Sequence, residues 1–305
     1  MSKVILVDAS HLLSRTFHVP SFQHLRAVID GQEVLTGAAF GFIQSIKKIY
    51  KDLKQENDKL IVVWDGPGKG FRNTLCSTYK ANRISRTPDY LFQIGITQEF
   101  LKALGVLQCQ TANVEADDLI GILTKQARLK GYRVLIISGD KDFNQLVSNN
   151  VHVLHPGAGQ EDDKLITPDE VKERYGIAPN LFVSWLSLTG DSSDNIEGID
   201  GVGKKTAAEL IQCNGNIDNI INNDIHYKFK KDKKAPVSDN LQQKINSSKD
   251  ILKLAKQLVT IKLDMDVNLE IEQAKPNFLY LKELFKTYSF TSQLQKFDEF
   301  VAIFA

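Results

Sequence analysis

Residues 133–142 read Arg-Val-Leu-Ile-Ile-Ser-Gly-Asp-Lys-Asp: an aliphatic run, a Ser-Gly step, then two carboxylates one residue apart. Arg133–Ile137 has the length and β-branched content of a buried strand. The same pattern occurs twice more toward the N-terminus. Lys3–Val7 runs into Asp8, and Leu60–Trp64 (LIVVW) runs into Asp65. Val151–Leu154 reads as a short fourth strand. Between these runs lie stretches with apolar residues at three- and four-residue spacing, over Ala39–Leu53, Thr97–Leu104 and Asp118–Leu129. Continuous apolar strands alternating with amphipathic helices predict an α/β fold with a central, mostly parallel sheet flanked by helices on both faces.

In such sheets ligands bind at the C-terminal ends of the strands. Asp8, Asp65 and the pair Asp140 and Asp142 all fall there. Any one of them is explained by turn formation; three strands ending alike are not. Glu115, Asp117 and Asp118 open the helix that follows. First-turn acids complement the helix dipole, but Glu115 and Asp118 also share a face. Asp191 and Asp194 lie in a Thr-Gly-Asp-Ser-Ser-Asp-Asn stretch that also reads as an Asx-rich turn. Nine converging carboxylates cannot be buried uncompensated. With Lys141 the main cation among these motifs, the expected compensation is a hard divalent cation, Mg²⁺ or Mn²⁺. Two such ions about 4 Å apart are an arrangement that cleaves phosphodiesters.

The chain has 305 residues with 42% hydrophobic and 25% charged, ordinary globular usage that excludes wholesale disorder. The three cysteines, Cys76, Cys109 and Cys213, form no C-x-x-C pair, which argues against a disulfide framework or zinc ribbon. No apolar run approaches the roughly 20 residues of a membrane span. A cytoplasmic protein is expected, with no membrane partner. The net charge of +1 conceals clusters. Gly66–Pro88 holds five cations and no acid, and Lys228–Lys234 holds five lysines and one aspartate.

Gly66–Ile96 lacks a sustained apolar stripe and is expected to be a functional segment. Strand signals fade after Thr167, which places a boundary between a 1–175 α/β domain and a 176–305 helical one. Within the latter, Gly201-Val-Gly203-Lys204-Lys205 sits between two helical stretches. Glycines that permit close approach, followed by a helix N-terminus and two lysines, suit a phosphate. No strand precedes them and the Walker spacing is missing, so a clamp on a DNA backbone is the better reading than a nucleotide loop.

The ordered set LVDASHLLSRTFH, VVWDGPGKGFR, YKANR, VEADDLIG, ISGDKDFNQLVS, VHVLHP and LTGDSSDNIEGIDGVGKKTA resembles the 5′-nuclease (flap endonuclease) superfamily. It is most similar to the 5′-nuclease domain of bacterial DNA polymerase I and its stand-alone bacterial and phage relatives. The resemblance covers nearly the whole chain. It implies a PIN-like 5′-nuclease fold with a helical arch at about 66–96 and a C-terminal helix–three-turn–helix region. Asp8, Asp65, Glu115, Asp117 and Asp118 match the acids around a first Mg²⁺, and Asp140, Asp142, Asp191 and Asp194 those around a second. Lys80 and Arg83 match arch cations near the scissile phosphate, with Tyr79 placed to stack on a base. Arg15 and Arg72 match cations facing DNA. Gly201, Gly203, Lys204 and Lys205 match the duplex-binding hairpin, which in relatives also holds K⁺.

The implied activity is metal-dependent 5′-3′ exonuclease and flap endonuclease cleavage by a monomer in replication and repair. Its substrates would be DNA with a 5′ flap, nick or free 5′ end, extending to RNA–DNA hybrids. A PIN-like ribonuclease would share the acidic strand ends but lack the arch and the glycine hairpin. A non-catalytic DNA-structure-binding protein would lack acids, and none is missing.

Overall fold

The computed structural model describes residues 2–83, 85–157, 162–222, 239–266, 271–272 and 275–304. The Lys228–Lys234 run lies outside them, as do positions 267–270 of an expected β-like segment, Val267–Ile271. In chain order the strands are β1 (Lys3–Asp8), β2 (Arg26–Ile29), β3 (Gln32–Leu35), β4 (Lys59–Val63), β5 (Leu107–Cys109), β6 (Arg133–Ile137), β7 (Val151–His155), β8 (Lys164–Ile166) and β9 (Ile271–Glu272). The helices used below are α1 (Ala9–Phe17), α2 (Gly37–Asp52), α3 (Phe71–Leu75), α4 (Pro88–Ala103), α5 (Ala116–Leu129), α6 (Pro168–Tyr175), α7 (Phe182–Thr189), α8 (Lys204–Asn214), α9 (Ile217–Asn222), α10 (Asp239–Ser247), α11 (Lys249–Val259) and α12 (Phe278–Thr287). The chain divides into two compact units. Unit 1 comprises Met1–Pro67, Ser85–Gly139 and Asp264–Ala305; unit 2 comprises Gly68–Ile84 and Asp140–Leu263.

Unit 1 contains the strands that the aliphatic runs predict. β1 lies between β4 and β6 and pairs with both in parallel. Its Ile5, Leu6 and Val7 are fully buried, as expected of a strand covered on both faces. The register places Asp8 beside Val63 and Val7 beside Ile137. The three strands therefore end level, and the residues just beyond them share one edge. β5 extends the sheet in parallel and β9 closes it antiparallel.

Helix α4 begins at Pro88, nine residues before the expected Thr97. Thr87 caps it by accepting the Tyr90 N–H at 3.2 Å, and proline occupies its first turn. Its apolar residues lie on every side: Tyr90, Ile96, Phe100 and Leu101 are buried while Leu91 and Phe92 are exposed. Such a helix has no amphipathic period to read. Part of the unit's aromatic core comes from its C-terminal segment, including Phe285, Phe290 and Phe300. Phe290 stacks on Phe100 with centroids 5.0 Å apart and meets Phe40 edge-on at 5.1 Å.

Unit 2 contains the β7–β8 antiparallel hairpin, α3 and α6–α11. Its aromatic cluster is Tyr175, Phe182 and Trp185, with ring centroids mutually within 5.5 Å. The Trp185 indole N–H donates to the Lys204 carbonyl at 3.1 Å and so fixes the start of α8. Gly190 and Gly198 lie back to back. A Cβ on either would come within 2.5 Å of the other's backbone nitrogen, so the turn after α7 closes only with glycine at both places.

Candidate active site

In unit 1, Asp8 terminates β1 and caps α1. One carboxylate oxygen accepts the His11 N–H at 3.0 Å and the other accepts the Ser138 hydroxyl at 2.8 Å. Asp65, two residues past β4, accepts the Ala116 N–H at 3.0 Å and the Ser10 hydroxyl at 2.7 Å, and pairs with the Arg86 guanidinium at 2.9 Å. Ala116 is the first residue of α5, so Asp65 takes a free N–H of that helix start. This ties β4 to the Glu115–Asp118 run. Burial pushes the Asp65 carboxyl upward, but the Ala116 and Ser10 donors and the Arg86 charge outweigh it and hold it below the usual carboxylate range. Asp118 is buried in the same first turn, with Glu115 and Asp117 half-buried.

In unit 2, Asp140 accepts the Asp142 N–H at 2.9 Å. Asp142 has a fully buried Oδ1 with no hydrogen-bond partner among the described residues. Its carboxyl is pushed well above 3.8, first by burial and then by the charges of Asp140 and Asp191. Asp191 accepts the Ser193 N–H and hydroxyl at 2.9 and 2.7 Å and pairs with Lys141 at 2.9 Å. It is thus both an Asx turn and a charge facing Asp142. Burial raises Asp191, but Ser193 and Lys141 bring it below the usual range. Asp194 pairs with Arg83, with Lys80 at 3.7 Å, and accepts the Tyr79 hydroxyl at 3.2 Å.

Among the described residues no three acids form a ready ligand cage. Besides Lys141, which interrupts the acidic motifs in sequence, Arg86, Lys80 and Arg83 also pair with these acids. The donor set is nonetheless all carboxylate oxygen, and the orphaned Oδ1 of Asp142, forced toward protonation, is what a hard dication would relieve. The residues present fit Mg²⁺ or Mn²⁺.

The turn at 78–83 is laced to the turn at 192–195 within unit 2. Lys80 N–H donates to the Asp194 carbonyl at 2.9 Å, the Asn195 amide to the Thr78 carbonyl at 2.8 Å and the Asn82 amide to the Ser192 carbonyl at 2.7 Å. Lys80 has φ +56, a left-handed conformation that costs a residue with a Cβ about 1–3 kcal/mol.

Two expectations for this segment do not hold. Tyr79 is not free to stack on a base: it is 4% exposed and its hydroxyl is committed to Asp194. Arg72 does not face DNA: it is 3% exposed and donates to the carbonyls of Leu258 and Thr260 at 2.7 and 2.8 Å, where it caps the end of α11. Arg15 lies half-buried in the last turn of α1.

Gly201, Gly203, Lys204 and Lys205 are all exposed. Gly201 has φ +81 and needs glycine for its own backbone. Gly203, at φ −81, does not, and a Cβ there meets nothing within 4 Å. Sequence reading missed Ser10, Ser138, Asn82, Asn195 and Arg86. Ser10 and Ser138 each sit two residues from a chosen aspartate, which was the available signal. Arg86 lay in the noted acid-free stretch.

The chain matches the family model for the 5′-3′ exonuclease N-terminal resolvase-like domain over residues 3–176 and that for the 5′-3′ exonuclease C-terminal SAM fold over 177–279. It is 36% identical over 292 residues to a 5′-3′ exonuclease of Buchnera aphidicola from Schizaphis graminum, covering 94% of this chain and 96% of that one. It is 32% identical to the thermostable DNA polymerase I of Thermus aquaticus over 97% of this chain, and spans only 33% of that polymerase. Among solved structures, the phage T5 5′-exonuclease with zinc bound shares the fold at TM-score 0.65 and 21% identity, over 99% of this chain and 100% of that one. The catalytic core of Rad2 in complex with DNA substrate does so at TM-score 0.64 and 17% identity, over 100% and 92%. The fold and the acids at its strand ends define an α/β nuclease. The chain belongs to the 5′-3′ exonuclease family.

Proposed function

We propose that this chain hydrolyses phosphodiesters in DNA bearing a 5′ flap, a nick or a free 5′ end, acting as a monomer in the cytoplasm and extending to RNA–DNA hybrids. The observation that carries this reading is the buried, unpartnered Oδ1 of Asp142 beside Asp140 and Asp191. Two Mg²⁺ are assigned, replaceable by Mn²⁺. Asp8, Asp65, Glu115, Asp117 and Asp118 would hold one, and Asp140, Asp142, Asp191 and Asp194 the other. When bound, such ions supply Lewis acidity toward the phosphoryl group and its attacking and leaving oxygens.

The chain's own side chains do the rest. Lys80 and Arg83 neutralise charge that grows on the phosphate in the transition state. Exposed Gly201, Gly203, Lys204 and Lys205 grip the duplex backbone without reading sequence. Backbone carbonyls of that hairpin would take K⁺. Arg15 remains a DNA-contact candidate. The test is product mapping on an end-labelled 5′-flap DNA with Mg²⁺ and with EDTA. Cleavage at the flap base or from the 5′ end, only with the metal, is expected. Undiminished cleavage in EDTA refutes the reading.

A further inference from the structure

Lys80 is the midpoint of a staple. The carbonyl two residues before it, on Thr78, accepts from the Asn195 amide, and the side chain two residues after it, Asn82, donates to the Ser192 carbonyl. Both acceptors are backbone carbonyls, so only the NH₂ end of each carboxamide can make the bond. The partners lie 117 and 110 residues apart in sequence. Between these two ties Lys80 keeps its left-handed φ, and its N–H meets the Asp194 carbonyl. An unrestrained turn would disfavour this conformation for a lysine.

A further restraint is the ion pair to Asp194 at 3.7 Å. It fixes the end of a flexible side chain and leaves the main chain free. Asn82 and Asn195 are exposed, so their amides do not satisfy a buried group. Asn195 itself has φ +56, which asparagine tolerates better than most residues and which aims its amide at Thr78.

We propose that Asn82 and Asn195 are positioning residues for Lys80: their carboxamides lace the 78–83 turn to the 192–195 turn and so set the direction of the Lys80 ammonium. The inference rests on the role proposed above for Lys80. Nothing in it requires the asparagines to touch the substrate.

The test uses Asn82→Ala and Asn195→Gly, singly and combined, in the full chain. Glycine at 195 keeps the left-handed backbone accessible and removes only the amide. In the native protein, trypsin should cut the Lys80–Ala81 bond faster in the double variant by on the order of 10-fold, with cleavage elsewhere unchanged. Single-turnover cleavage of a saturated 5′-flap DNA should slow by on the order of 10-fold. In a Lys80→Ala background the same pair of changes should have no effect on rate.

Equal slowing in both backgrounds would show that the asparagines act on something other than Lys80 and would overturn the proposal. So would a wild-type rate and wild-type proteolysis in the double variant. If Lys80→Ala alone cleaves at the wild-type rate, the role of Lys80 fails first and takes the inference with it. If Lys80→Ala is slow and the asparagine variants are fast, only the inference fails.

Discussion

Asp142 carries the clearest conflict in the protein. Its Oδ1 is buried and unpartnered, and the charges of Asp140 and Asp191 oppose its ionisation. The folded carboxyl therefore titrates above its ordinary 3.8, so the folded state binds more protons than the unfolded one from there upward. Metal-free stability should fall as pH rises from about 4 through the folded value. Asp142→Asn should remove that slope, raise the melting temperature in EDTA at neutral pH, and shrink the further rise that Mg²⁺ gives wild type. Thermal melts at pH 4–8 with EDTA or Mg²⁺ decide it, and an Asn variant less stable in EDTA at pH 7 would contradict it. For Lys80→Ala, single-turnover cleavage should drop on the order of 10²-fold while duplex affinity changes little, because one phosphate contact is a small part of binding. Rapid-quench kinetics beside a binding titration separate the two.

The strand-end positions of Asp8, Asp65, Asp140 and Asp142 were legible because each follows an aliphatic run, whose signal is local. Tyr79 and Arg72 were not. Arg72 owes its burial to carbonyls 186 and 188 residues away, and no local pattern encodes that.

At the scale of elements, the glycine hairpin and α8 separate folding from binding. Gly201→Ala meets its own backbone, and the left-handed φ should cost about 1–2 kcal/mol of stability. Gly203→Ala meets open space and should cost about 1 kcal/mol or less as an altered helix cap, yet weaken duplex binding if phosphate approaches there. Replacing Lys204 and Lys205 together by alanine should lower affinity for all duplex sequences alike. It should flatten log affinity against log salt by about one unit per lost contact. A salt titration shows it, and parallel lines would remove the clamp. The hairpin was legible from Gly-x-Gly-Lys-Lys between helices. Helix α4 was only half legible, since a helix apolar on every side shows no stripe.

For the molecule as a whole, the division of the chain at 175/176 and the division into compact units differ in kind. The family models part at 176/177, whereas Asp264–Ala305 packs within unit 1. That segment supplies β9, and Phe290 stacks on Phe100. Phe285 meets Phe300 edge-on at 5.2 Å and lies 5.5 Å from Phe100. Ending the chain at Leu263 should therefore destabilise unit 1 rather than trim a dispensable tail, removing several buried aromatics at about 3–5 kcal/mol each. Loss of a cooperative thermal transition and of helical circular dichroism beyond the deleted residues is expected. An unchanged melt would refute it. Sequence periodicity labels this tail helical, correctly for α12, but periodicity carries no information about which core a helix joins.

The five segments of the two units alternate along the chain, so the backbone passes between units four times. During synthesis this has a consequence. Strand β9 and the aromatics Phe285, Phe290 and Phe300 belong to the sheet unit that begins at β1, yet they are synthesised after every segment of unit 2. Unit 1 cannot complete its core until all of unit 2 has been made, whatever the rate of translation. Until then the Phe100 face that Phe290 covers stays open.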